Sequence, residues 1–443
     1  MKIYPILQKT LFILVFSVIS ACYFFGLDNQ SMHEDEYVWV YRGGRHFQAL
    51  FLDHDFSDEI WQHYYSYDQP KLAEFAFGAF TWLVYQKKPS QVFTESGFNS
   101  QGIEEMEARS SEVWWVKNQA QDAQKKAIPE EWQKAYQLIV VNRYLSVFFG
   151  LGTLLFVFLI GRKIGNFWVG LLSMILLAQH SLFYLLSRRA MADSLLVFLM
   201  IGGLYWLFRF LADPKKKKHQ ILPELKVINL GLWAGLAASV KLNGFMILAL
   251  VSLVIFLKTL KEISKKNYFQ KIGRLLKQLG VISIITIGVF ISLNPFVWKN
   301  PPENIKKMFL SRKEITQEMQ KEYSSSSYKT FLSRLQSILG ETLLPKIGAH
   351  QRMLSWLPQR TDLMLFIIGI LFLIFEVLVK GHNWQAGVFL IFMIGTLFFM
   401  GEYLAVGHDR YFLPIIPYIV IVEAFGLIRI MGTVITAVKI VRE

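Results

Sequence analysis

Apolar runs long enough to span a membrane occur near positions 8–27, 138–160, 167–186, 191–211, 227–241, 244–258, 277–297, 362–379, 385–401 and 411–431. A helix of about 20 apolar residues crosses the hydrocarbon core, where each backbone polar group must be satisfied within the segment. The pattern therefore predicts an all-α polytopic membrane protein, a bundle of about ten transmembrane helices. Short basic connections fall after every second run: Arg162-Lys163, the lysines at 215–218, the stretch 258–277, and Lys380. Lys and Arg concentrate in cytoplasmic loops, so these connections and both termini are expected in the cytoplasm. Two long polar segments, 28–137 and 298–361, then lie on the opposite side. Neither has the apolar content of a separate soluble domain, so residues 1–443 read as one transmembrane unit with loops packed on the membrane.

The first loop is acidic and rich in Trp and Tyr. Its apolar stretch Leu72–Tyr85 is too short to span and is expected as an interfacial or re-entrant helix. The insertion 86–135 receives no role. The second loop is basic (Lys306, Lys307, Arg312, Lys313, Lys346, Arg352, Arg360), which suits lipid phosphates, and long loops are exempt from the charge rule. Its serine run at 324–327 reads as a mobile tip, either a lid or a plain connector. No internal repeat is visible.

Composition agrees: 53% of residues are hydrophobic and mean hydropathy is +0.35. A net charge of +14 would suggest nucleic acid in a soluble protein, but here the cations sit between apolar runs as topology signals, which excludes that partner class. The single Cys22 excludes an internal disulfide and a cysteine metal cluster. Ile19-Ser20-Ala21-Cys22 resembles a lipoprotein cleavage site, yet the apolar run continues to Leu27, favouring an uncleaved first helix.

The unusual charges all fall on the predicted non-cytoplasmic side. His33-Glu34-Asp35-Glu36 places three carboxylates and an imidazole just after the first helix, either as a solvated loop start or as a general base or metal site. Asp68-Gln69-Pro70-Lys71 precedes the interfacial helix, with Asp68 as a site residue or a helix cap and Pro70 in the first turn. Ser187-Arg188-Arg189-Ala190-Met191-Ala192-Asp193 puts two arginines where the charge rule least expects them. The planar guanidinium fork suits a phosphate leaving group, although an Arg189–Asp193 pair within one helix would also explain them. Lys241, in Ser239-Val240-Lys241-Leu242-Asn243-Gly244, is a site cation or a snorkelling lysine. Glu402 and Gly407-His408-Asp409-Arg410-Tyr411 precede the last helix, as site residues or as interfacial anchors. A transporter would instead show midplane charges and related halves, which are not evident here.

In order along the chain these motifs resemble the GT-C glycosyltransferases, specifically the protein O-mannosyltransferases and the phospholipid-carrier-dependent transferases that include the aminoarabinose transferases. The resemblance rests on Asp35-Glu36, a divergent proline turn at Asp68-Gln69-Pro70-Lys71 that lacks one proline of the family pair, and Arg189-Ala190-Met191-Ala192-Asp193-Ser194. It extends to Ser239-Val240-Lys241-Leu242-Asn243-Gly244 and to Arg410-Tyr411 with Pro414. It implies a GT-C-like bundle and inverting transfer of a sugar from a polyprenyl-phosphate carrier to an acceptor outside the cytoplasm. Asp35 would be the base with Glu36 beside it. Asp68, Lys71, Arg188, Arg189, Asp193, Lys241, Glu402, His408, Arg410 and Tyr411 would bind substrate. A divalent metal on His33, Asp68 or His408 is the one cofactor the resemblance raises. Protein, lipid and envelope glycan all stay open as acceptors, and a glycan flippase or ligase and a non-catalytic scaffold stay open as other classes.

Overall fold

The computed structural model describes residues 5–30, 33–57, 59–61, 64–98, 130–212, 223–264, 266–324, 327–344, 361–379 and 383–442. The lysines at 215–218, Lys346, Arg352, Arg360, Lys380, residues 99–129 of the insertion and Ser325-Ser326 lie outside them. Among the described residues the chain is helical, with one isolated β-bridge between Ser327 and Val406. After α1 (Pro5–Phe24) the first loop folds into α2 (Glu34–Phe47), α3 (Tyr64–Asp68), α4 (Leu72–Tyr85) and α5 (Pro89–Glu95). The bundle continues with α6 (Glu130–Ile164), α7 (Phe167–Gln179), α8 (Ser181–Leu186), α9 (Ala192–Leu211), α10 (Pro223–Val240), α11 (Phe245–Glu262) and α12 (Tyr268–Ser292). The second loop carries α13 (Pro301–Glu322) and α14 (Phe331–Leu343), and α15 (Thr361–Leu378), α16 (Trp384–Tyr403) and α17 (Ile416–Arg442) close the fold.

Among the described residues eight helices are long and apolar enough to cross a membrane: α1, α6, α9, α11, α12, α15, α16 and α17. Two of the ten expected runs fall short of that standard. Run 167–186 is broken at His180, whose extended backbone (ψ 119°) separates α7 from α8. Run 227–241 lies within α10, whose first turn carries Glu224 and Lys226. Both nevertheless pack inside the bundle, α7 against α6 and α17, and α10 against α9 and α12. The protein is a multi-pass membrane protein with α17 near its centre, while α1, α12 and α15 turn broad apolar faces outward, as lipid-facing helices do.

α4 has the expected bounds and is apolar nearly throughout: Ala73, Glu74, Phe75, Phe77, Gly78 and Thr81 are buried, and Trp82, Leu83 and Val84 are exposed. It crosses α2 at backbone contact, since a Cβ at Gly43 would stand 2.5 Å from the Glu74 carbonyl oxygen and one at Gly78 2.3 Å from that of Gly43. Small residues at a crossing let two backbones approach this closely. Pro70 lies just ahead of Lys71, the cap residue of α4, and not in the first turn; Asp68 ends α3 and does not cap α4.

Candidate active site

The end of α1, the α8–α9 and α10–α11 turns, the end of α12 and the start of α17 converge with α2 and α4 at one end of the bundle. Side-chain contacts between these segments fix that convergence.

His33 caps α2 through a reciprocal capping box. Its Nδ1 accepts the Asp35 N–H at 3.1 Å and the Glu36 carboxylate accepts the His33 N–H at 2.9 Å. Glu36 is fully buried and pairs bidentately with the fully buried Arg143, both contacts at 2.8 Å, while also accepting the Ala190 N–H at 2.8 Å. Arg143 in turn donates to the carbonyls of Leu27 at 2.7 Å and Gln30 at 2.9 Å. Burial would raise the Glu36 carboxyl, but the Arg143 charge and the hydrogen bonds prevail and hold it below its ordinary value. Glu36 thus ties the start of α2 to α6 and to the arginine turn, with no access to substrate.

One residue earlier, Asp35 is partly exposed and contacts Arg410 Nη1. Burial, then the charges of Arg189 and Arg410, hold the nearby His33 imidazole at about 3, so it is neutral at working pH and its Nδ1 is free to accept. The Arg410 guanidinium lies 5.4 Å from the Tyr411 ring centre, and Tyr411 is within electrostatic reach of Arg312 and Lys241. His408 packs edge-on against Tyr411 and Tyr323, with centroids 5.6 and 5.1 Å apart. A half-open carboxylate therefore faces a cationic rim drawn from four elements.

The two turn arginines divide. Arg188 donates to the Tyr23 and Phe25 carbonyls at 3.1 and 2.6 Å and to the Tyr184 hydroxyl at 2.6 Å, which engages it at the end of α1 and not in a phosphate site. Arg189 faces His33. Asp193 pairs with Lys241 at 2.7 Å rather than with Arg189, and its Oδ2 has no hydrogen-bond partner. The Gly244 of that lysine turn is required sterically, because a Cβ there would sit 2.2 Å from the Ala237 backbone.

Asp68 is buried at the other edge of the rim, its Oδ2 3.3 Å from Arg42 Nη1 and its Oδ1 4.0 Å from Arg312 Nη1 on α13. Lys71 is fully buried beneath the rim, its ammonium 2.9 Å from Glu74 and its N–H bound to Asn294 Oδ1 at 3.1 Å. Glu74 also pairs with His46 at 2.6 Å, and His46 Nε2 meets Ser66 Oγ at 3.0 Å. This arrangement places Lys71, expected as a substrate ligand, in the buried support of the turn. Glu402 is likewise displaced from the site: its side chain is exposed at the end of α16, and its carbonyl accepts from Arg334 at 2.6 Å.

Among the described residues no three His, Cys, Asp or Glu side chains gather as a metal site. His33 Nδ1 is committed to its cap, His408 packs against two aromatic rings, and Asp68 stands between two guanidiniums. The divalent ion that the resemblance raises thus finds no gathered donor set among the described residues. Arg42, Arg143, His46, Glu74 and Asn294 were not singled out by the sequence. Of these, Arg143 and Glu74 carried a signal, each as a charge inside an apolar run.

Residues 111–297 match the family described as dolichyl-phosphate-mannose-protein mannosyltransferase. The fold is similar to that of ArnT from Cupriavidus metallidurans bound to undecaprenyl phosphate, with 13% identity over 95% of this chain and 60% of that one and a TM-score of 0.56. It is also similar to the archaeal oligosaccharyltransferase AglB from Archaeoglobus fulgidus in complex with an inhibitory peptide and a dolichol-phosphate: 12% identity, 96% of this chain and 51% of that one, TM-score 0.53. This chain spans about three fifths of the length of ArnT. No curated protein matches it by sequence. The fold is thus that of the GT-C membrane glycosyltransferases, and the resemblance read from the motifs is borne out.

Proposed function

We propose that the chain is an inverting membrane glycosyltransferase that moves a sugar from a polyprenyl-phosphate carrier to an acceptor on the non-cytoplasmic side of the membrane, both termini being cytoplasmic. The observation that carries this reading is Asp35, a reachable carboxylate held by the α2 cap in front of Arg410, with Arg189 facing the neighbouring His33 and Lys241 and Arg312 around the adjoining Tyr411. Asp35 accepts the proton of the acceptor hydroxyl as its oxygen bonds to the anomeric carbon. The bond from that carbon to the carrier phosphate oxygen breaks, and the phosphate keeps the electron pair. Fixed cations at the position where this charge develops lower the barrier. Glu36 acts indirectly, by fixing the Asp35 backbone and the Arg189 turn together. The carriers present in the ArnT and AglB structures support this donor class. A flippase or scaffold would have no use for a reachable carboxylate among paired cations.

The test is transfer from a panel of radiolabelled polyprenyl-phosphate sugars in proteoliposomes containing an envelope acceptor fraction. Asp35→Asn is expected to lower turnover by about 10²- to 10⁴-fold, the range for loss of a general base, with little change in carrier binding. Equal turnover by the variant would remove Asp35 from the mechanism.

A further inference from the structure

Two neighbouring buried acceptors at the rim lack donors. Asp68 is only 7% exposed, yet its Oδ1 makes no hydrogen bond, because Arg312 at 4.0 Å is too distant to donate. The next residue, Gln69, also has a buried side-chain oxygen, Oε1, without a partner. Buried polar atoms are nearly always paired, so two adjacent exceptions mark a place where a ligand supplies the donors. The turn that bears them is held on both sides, by Arg42 on Asp68 Oδ2 and by Asn294 on the Lys71 N–H. It also belongs to the same rim as the base, since Arg312 reaches both Asp68 and Tyr411, and Tyr411 adjoins Arg410 and Asp35.

We propose that Asp68 and Gln69 form a subsite that reads hydroxyl groups of the transferred sugar, and that this sugar is neutral and not an amino sugar. The inference rests on the glycosyltransferase reading above. Sugar hydroxyls are neutral donors of the kind that both orphaned oxygens lack. The charge of Asp68 is already compensated by Arg42 and Arg312, so an ammonium group brought to it would meet two like charges, whereas a neutral hydroxyl meets only unfilled acceptors.

The experiment measures dissociation constants of the full chain in nanodiscs for bare polyprenyl phosphate, for the same carrier bearing a neutral hexose, and for the carrier bearing a 4-amino-4-deoxy pentose. Wild type is expected to bind the hexose carrier about 10- to 100-fold more tightly than the bare one, the worth of two net hydrogen bonds. Asp68→Asn and Gln69→Met should each cut that ratio toward one and leave bare-carrier affinity unchanged. Equal weakening of both carriers would show a structural role and overturn the proposal. So would a wild-type ratio of one, in which case the two oxygens face only water, or amino-sugar binding as tight as that of hexose. Transfer is assayed in parallel: a wild type that keeps the binding ratio but transfers nothing supports the subsite and refutes the enzyme reading alone.

Discussion

Asp35 and Glu36 are adjacent and chemically alike, yet the fold gives them opposite environments. The capping box turns Glu36 inward to Arg143 and leaves Asp35 facing the rim. A sequence shows two acids in that motif and cannot say which is spent on structure, because the deciding partner lies 107 positions away. The same holds for Arg188 and Arg189, of which only the first meets the carbonyls at the end of α1. Glu36→Gln would leave Arg143 charged, buried and unpaired, which costs about 3–5 kcal/mol. Its melting temperature in detergent should fall, and the Glu36→Gln/Arg143→Met double variant should recover part of the loss. Because the folded-state Glu36 carboxyl lies below its ordinary value, its contribution is complete above the unfolded carboxylate range and is lost as pH falls through the folded value. Wild type should therefore lose more stability than Glu36→Gln between neutral pH and about pH 3. Parallel loss in the two proteins would remove the ion pair from the acid response.

At the scale of elements, α4 was legible to the residue, since its apolar length and polar flanks separate it from a span. What it packs against was not legible. The α2–α4 crossing depends on Gly43 and Gly78, which carry no periodic signal, yet it sets the distance between the Asp35 end of α2 and the Asp68 turn before α4. Gly78→Ala puts a methyl group into backbone rather than into a movable side chain, so the helices must separate. Such overpacking costs about 1–3 kcal/mol. Turnover should fall with the melting temperature, while Gly280→Ala, where a Cβ meets nothing within 4 Å, should leave both unchanged. Full activity in Gly78→Ala would show that the crossing does not set the site geometry. The broken run 167–186 was the harder case for sequence, because Gln179-His180-Ser181 is too short a polar break to end a span by itself and the extended backbone at His180 becomes visible only in the fold.

For the whole molecule, the apolar pattern carried the architecture because lipid admits only self-satisfied helices, and the charge pattern carried an orientation. The same assignment predicts which face each end of the bundle meets. The rim, with α13 and α14, shares one end, while the α11–α12 connection with Lys258 and Lys261 lies in the segment assigned to the cytoplasm. Cys22 is the only cysteine, so a Cys22→Ser background makes single reporters clean. Lys321→Cys at the exposed end of α13 should react with a membrane-impermeant maleimide in intact cells. Lys261→Cys, exposed at the end of α11, should react only after permeabilisation. Neither residue touches the rim, so both variants should retain transfer and report orientation in an active protein. The reverse labelling pattern would put the Asp35 face in the cytoplasm, and the acceptor would then have to be sought there.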